Sequence, residues 1–165
     1  MGVKALKTSE LLQQLELYDE ENAFVTKEES GLDTDIRTVI LPRFGTMYNT
    51  GEAEFFFHKT DNEDGSETNR IFVCRYLIIS GVQRTTVALL CAALAAENYE
   101  MIPGTLGYDP EENAVTYTLS TPFPDDMSDE EMKRQAEISM RVSWAQASQY
   151  AAVYEAAAKG AEYGF

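Results

Sequence analysis

The chain is poor in the residues on which most site chemistry depends. It has one histidine, His58, and two cysteines, Cys74 and Cys91, in 165 residues. A zinc site or a base-activated nucleophile recruits such residues with partners at fixed spacing. Neither an HxxxH nor a CxxC pattern occurs. Basic residues are also scarce, 13 Lys and Arg against 28 Asp and Glu, for a formal net charge of −15. They are scattered (Lys27, Arg37, Arg43, Lys59, Arg70, Arg75, Arg84) and form no run. A field of that sign repels polyanions, so nucleic acid and anionic membrane surfaces are poor partners. The longest apolar run, residues 87–96, is too short to span a bilayer. The first seven residues carry no apolar core of signal-peptide length, so a cytoplasmic protein is expected. Both cysteines lie in apolar surroundings and are expected as reduced, buried thiols, with a disulfide between them as the alternative.

What is present describes a globular chain. Apolar residues make up 44% and aromatics 11%, enough for one domain with a real core and no staples. Leu11, Leu12 and Leu15 form the stripe of a first helix over residues 9–18, capped by Thr8 or Ser9. An extended segment is expected at 24–27, before the Ser30-Gly31 turn. β-Branched residues predict a strand at 36–41, and 45–51 reads as a loop. A second strand covers 53–59, with Phe55 and Phe57 on one face and Glu54, Phe56 and His58 on the other. Residues 70–79 are apolar on both parities, which predicts a central strand buried on both sides. Ser80 with Gln83 has the spacing of a capping box, opening a helix to about residue 98. Between Val82 and Ala96 its only charge is Arg84, so it should be covered nearly all round. Pro103-Gly104 ends it. Strands at 105–108 and 114–121 flank the turn residues of 109–113 and predict a hairpin. There Val115, Tyr117 and Leu119 face one way, and Thr116, Thr118 and Ser120 the other.

Ser128 and Glu131 form a second capping box, with Asp129 and Glu130 favourable at a helix N-terminus. This last helix should run to about residue 159, with Gly160 as its end. Met140, Trp144, Ala147, Ala151, Tyr154 and Ala158 step by four and three along it, a heptad-like seam. It would pack on the sheet or pair with a second copy. Strands grouped between helices argue for a single α+β domain with an antiparallel sheet.

No candidate for chemistry outweighs its bland reading. The loop 60–65 resembles the start of a calcium loop, but the position that needs a bidentate Glu is Ile71. His58 reads as an exposed strand residue. The acidic pairs Glu28-Glu29, Glu111-Glu112, Asp125-Asp126 and Glu130-Glu131 fall at turns and helix starts, where solvation and capping explain them. Gly104-Thr105-Leu106-Gly107 matches neither a P-loop nor a dinucleotide fingerprint. Arg75 reads as one end of a salt bridge, with an anchor for an acidic ligand as the sharper alternative. No catalytic residue, metal or cofactor is therefore expected.

The element order carries a resemblance. The strand at 71–79, the helix at 82–98, the hairpin across 109–113 and the stretch TPFPDDMSDEEMKRQAEISM before the last helix together resemble the YbjN-type domain. That family is described as a bacterial sensory transduction regulator and shares its fold with class I type III secretion chaperones. Its pattern is a helix, three strands, a helix, two strands and a long last helix. Here the segment 31–51 is longer than in that pattern, and the last helix is richer in alanine. The resemblance implies a dimerising, protein-binding or regulatory role, with no catalytic positions to carry over. The expected function is thus a non-enzymatic domain that binds a protein partner or its own second copy. Phe55, Phe56, Phe57, Trp144 and Tyr154 are the candidate contact residues. The alternative is a small-molecule pocket between the sheet and the last helix, lined by Tyr76, Arg75, His58 and Tyr117.

Overall fold

The computed structural model describes residues 6–15, 27–28, 35–41, 51–101 and 103–162, with backbone only at 27–28, 40–41, 51 and 152–162. The expected extended segment at 24–26, the turn at 30–31 and the loop at 45–50 lie outside the described residues. Alternating side chains and a hairpin turn set the middle of the chain. Asp109 closes that turn by accepting from the amide N–H of Glu111 (2.9 Å), while Asn113 takes positive φ. On either side run β5 (Thr105–Asp109) and β6 (Ala114–Phe123). Upstream lie α1 (Thr8–Gln14), β1 (Lys27–Glu28), β2 (Ile36–Leu41), β3 (Gly51–Asp61) and β4 (Glu67–Ser80). A 3₁₀ turn at Arg84–Thr86 leads into α2 (Val87–Glu100), and α3 (Asp129–Glu162) closes the described chain. The sheet is antiparallel throughout, in the order β1-β2-β3-β4-β6-β5. The α+β antiparallel architecture read from the sequence is the one observed.

One face of the sheet carries the core. Phe55 pairs in register with Cys74, which pairs with Leu119; Ala53 pairs with Tyr76, which pairs with Tyr117. All six are buried in one cluster. Phe55, Phe57, Phe72 and Phe123 meet there in stacked and edge-to-face pairs. α1 covers the β2–β3 half with Leu11, Leu12 and Leu15. α3 covers the β4–β6 half, through Met132, Ala136, Met140, Ser143, Ala147 and Ala151. Small residues on that line let the helix backbone approach the strands. The hydroxyl of Tyr76 lies 3.1 Å from the Met140 carbonyl and 2.8 Å from the Ser143 hydroxyl. The described part of the heptad-like seam is therefore spent on its own sheet.

Several expectations are corrected. α1 has Lys7 as its N-cap, with the Lys7 N–H donating to the Glu10 carboxylate (3.3 Å). Thr8 instead turns to Glu67. Ser80 is the last residue of β4, paired with Ala114, so Ser80 and Gln83 form no capping box. Gln83 precedes a 3₁₀ turn, and α2 begins only at Val87. β4 is central, but a helix covers only one face; on the other Val73 is buried, Arg75 is exposed and Ile71 and Leu77 are half-buried. α3 runs past Gly160 to Glu162. Its start is as expected, with the Glu131 N–H donating to the Ser128 hydroxyl (3.2 Å).

α2 departs most. It lies along the edge strand β5, and only Leu94 is buried. Cys91 is exposed rather than buried, and neither thiol is in a disulfide. Asn98 fixes the helix to the edge. Its amide donates to the Leu106 carbonyl and its carbonyl accepts from the Leu106 N–H, both at 2.7 Å. That side chain does for β5 what a neighbouring strand would do. No helix among the described residues is long and apolar enough to cross a membrane.

Gly104 sits where β5 meets β6, and a Cβ there would overlap the ring and hydroxyl of Tyr117. Gly104→Ala should destabilise the fold by about 1–3 kcal/mol through overpacking. Urea unfolding would show this as a lower midpoint at unchanged slope.

Candidate functional site

The second face of the sheet is where the structure leaves apolar surface without a cover. Pleating puts Phe56, Ile71, Val73 and Leu77 there, opposite to Phe55 and Phe72. In register, Ile36 pairs with Phe56, Phe56 with Val73, and Val73 with Ser120. None of these apolar side chains belongs to the core cluster, and α1 and α3 both lie on the other side; Phe56, Ile71 and Leu77 are half-buried, whereas Val73 between them is 2% exposed. Among the described residues no helix packs on this face. Arg75 rises between them, its guanidinium carbon 5.3 Å from the Phe56 ring centroid and its Nε 3.4 Å from the Thr118 hydroxyl. Contact with the ring keeps the long side chain flat on the face rather than extended into water. The His58 ring meets Phe56 edge-on at 5.4 Å. Glu52 and Glu54, both exposed, line the β3 side. The result is an apolar strip with charged rims.

The candidate contact residues divide accordingly. Phe55 is 1% exposed and Phe57 is packed against Phe72 and Phe123, so both serve the core. Phe56 is the ring of the three on the open face. Trp144 is half-buried against the core cluster, and the side chain of Tyr154 lies outside the described residues. The four residues offered for a pocket also divide. Tyr76 and Tyr117 lie under α3, whereas Arg75 and His58 lie on the open face, so they do not converge. Burial holds the phenols of Tyr76 and Tyr117 above their ordinary range and pushes the Cys74 thiol up to about 12. None of these three ionises near neutral pH. Among the described residues no three His, Cys, Asp or Glu side chains are placed to hold a metal ion.

A pocket of about 320 Å³ opens at one end of the sheet, between the start of α1, the 64–67 loop and Asp125. Arg70 lines it and is only 5% exposed. One guanidinium nitrogen of Arg70 donates to the carbonyls of Pro124 (3.1 Å) and Asp125 (3.4 Å). Its Nε is buried with no hydrogen-bond partner, and no carboxylate pairs with it among the described residues. Beside it Glu67 is an anchor. One carboxylate oxygen accepts from the Thr8 N–H and the other from the Thr8 hydroxyl, both at 2.7 Å. The Lys59 ammonium bridges Glu67 (2.9 Å) and Asp61 (2.8 Å). At the other end of α1, Arg37 donates to the carbonyls of Leu12 and Leu15. A carboxylate at the helix start and a guanidinium at its end satisfy the backbone groups a short helix leaves orphaned. Sequence reading did not single out Arg70 or Glu67. The available signal was parity, since Arg70 shares its face with Phe72, Cys74 and Tyr76. The acidic loop itself is closed internally, with Asp64 accepting from the N–H and hydroxyl of Ser66.

No family model, curated protein or solved structure matches the chain.

The Glu67 anchor has a defined pH window. Burial raises its carboxyl, but the bonds from Lys59 and then Thr8 outweigh this and hold it below its ordinary 4.5. Its contribution is complete above that value and is lost as pH falls through the lowered folded value. Hydrogen bonds to Asp61 and Glu67 push Lys59 above its ordinary 10.5, so its contribution persists below that value and fades at higher pH. Glu67→Gln should cost about 1–3 kcal/mol at neutral pH and flatten the acid limb of the stability profile. Unfolding free energies between about pH 3 and pH 7 would check both; a variant with the parent's acid limb would remove Glu67 from that role.

Proposed function

We propose that this chain is a non-enzymatic protein-interaction domain that receives a segment of another protein on the open face of its sheet. The observation that carries this reading is the strip of exposed Ile36 and half-buried Phe56, Ile71 and Leu77, on which no helix among the described residues packs. Apolar anchors on the partner would fill the strip and supply affinity. Lys or Arg beside those anchors would be drawn in by Glu52, Glu54 and the net charge of −15, which speeds encounter and rejects acidic competitors. Arg75 would move off Phe56 or stack on an incoming side chain. The proposal agrees with what a YbjN-type, chaperone-like domain would do, namely bind and regulate other proteins.

Immobilised chain should capture protein at low salt, and capture should weaken as salt is raised. Phe56→Ser should weaken capture about tenfold or more while keeping the parent's circular dichroism. Capture that is indifferent to salt and to Phe56→Ser would overturn the proposal, as would no capture at all.

A further inference from the structure

α2 presents a second uncovered surface, and its pattern identifies what fits it. Opposite the buried Leu94, its outer side carries Ala88, Leu89, Ala92, Ala96 and Tyr99. Leu89 is 77% exposed and Tyr99 is 91% exposed. From Val87 to Ala96 there is no charge at all, while Arg84 stands before the helix and Glu97 and Glu100 stand at its end, all three exposed. We propose that a second copy of this chain covers α2, with the two helices antiparallel and crossing at Ala92.

The argument is self-complementarity. A two-fold axis at Ala92 brings together residues equally far from it on either side. Arg84 then faces Glu100 of the other copy, and the positive end of each helix lies over the negative end of its mate. Ala88 falls on Ala96 beside the axis, so small residues meet at the centre of the outer face and leave room for Leu89 and Tyr99. Two copies each carrying −15 repel one another, so contact costs least where carboxylates are few or paired with a cation. The uncharged middle of α2 meets that condition. A helix pair of this length sits at the small end of specific interfaces, about 1,000 Å² in total, so the dimer should be reversible. The inference does not depend on the sheet-face reading, since α2 lies at the β5 edge.

Sedimentation equilibrium over about 5 to 500 µM tests it, a range that brackets weak association. A reversible monomer–dimer equilibrium is expected. Leu89→Glu should abolish it while leaving the folded signal unchanged, because Leu89 is solvent-exposed in the monomer. Arg84→Glu and Glu100→Arg should each weaken the dimer, and an equimolar mixture of the two should restore it. In a Cys91→Ser background, Ala92→Cys should crosslink with a short bismaleimide, with buried Cys74 as the unreactive control. A chain that stays monomeric throughout, a dimer indifferent to Leu89→Glu, or charge variants that do not rescue one another would overturn the inference. Monomeric chain that still captures protein would leave the sheet-face proposal standing; an intact dimer that captures nothing would do the reverse.

Discussion

The fit of α3 against the sheet depends on side chains that are small where the strands are bulky. Ala136, Ser143 and Ala147 are fully buried, and Ala151 nearly so; large residues there would hold the helix away from Tyr76 and Tyr117. Close approach in turn brings the Tyr76 hydroxyl to Met140 and Ser143. A buried phenol without such partners would be strongly unfavourable, so the bond fixes the register of α3 on β4. Everything else is arranged around that helix. α1 occupies the remaining β2–β3 half of the same face, and α2 is left with the β5 edge. A helix at an edge has one contact line rather than a floor, which is why α2 stays largely bare.

Legibility of the chain followed the range of the physics involved. Val115, Tyr117 and Leu119 are buried as their alternation predicts, because strand parity is a local property. The turn at Asp109 and the cap at Ser128 were readable for the same reason. Ser80 shows the limit. Its spacing to Gln83 suits a cap, yet β6 is long enough to pair with it at Ala114, and strand pairing wins. The uncharged run of α2 reports that water is unfavourable along it, but not whether the cover is this chain or another. Cys91 was misplaced by that same step. The aromatic strand at 55–57 was legible as two-faced, with the covered face visible only once α1 had a position. Arg70 and Glu67 carry no motif, and their partners Pro124, Asp125 and Thr8 lie more than 50 residues away along the chain.

The acidic excess works at two ranges. A few carboxylates are fastened to particular backbone or cationic groups, as Glu67 is to Thr8 and Lys59, and as Asp129 is to the Leu6 N–H. These charge-assisted contacts position the first helix. Most of the others are solvated and act only through their sum, a field that steers cationic groups and keeps copies apart. Arg70 sits between these regimes, a buried cation held by carbonyl oxygens rather than by a carboxylate. In a chain with this charge excess, that arrangement is tolerable because the surrounding potential is already negative.

The same field gives meaning to where charge is missing. Scattered exposed apolar residues need no explanation on a protein surface, but a helical stretch without charge from Val87 to Ala96, in a chain where a quarter of the residues are charged, is a different matter. The open strip around Phe56 is bordered by glutamates and by Arg75, so it suits a partner of opposite sign. α2 has an uncharged middle, with one basic and one acidic end, so it suits an object with the same pattern reversed. The chain itself, turned end for end, is such an object. Two surfaces with different charge logic can therefore serve two different occupants without competing.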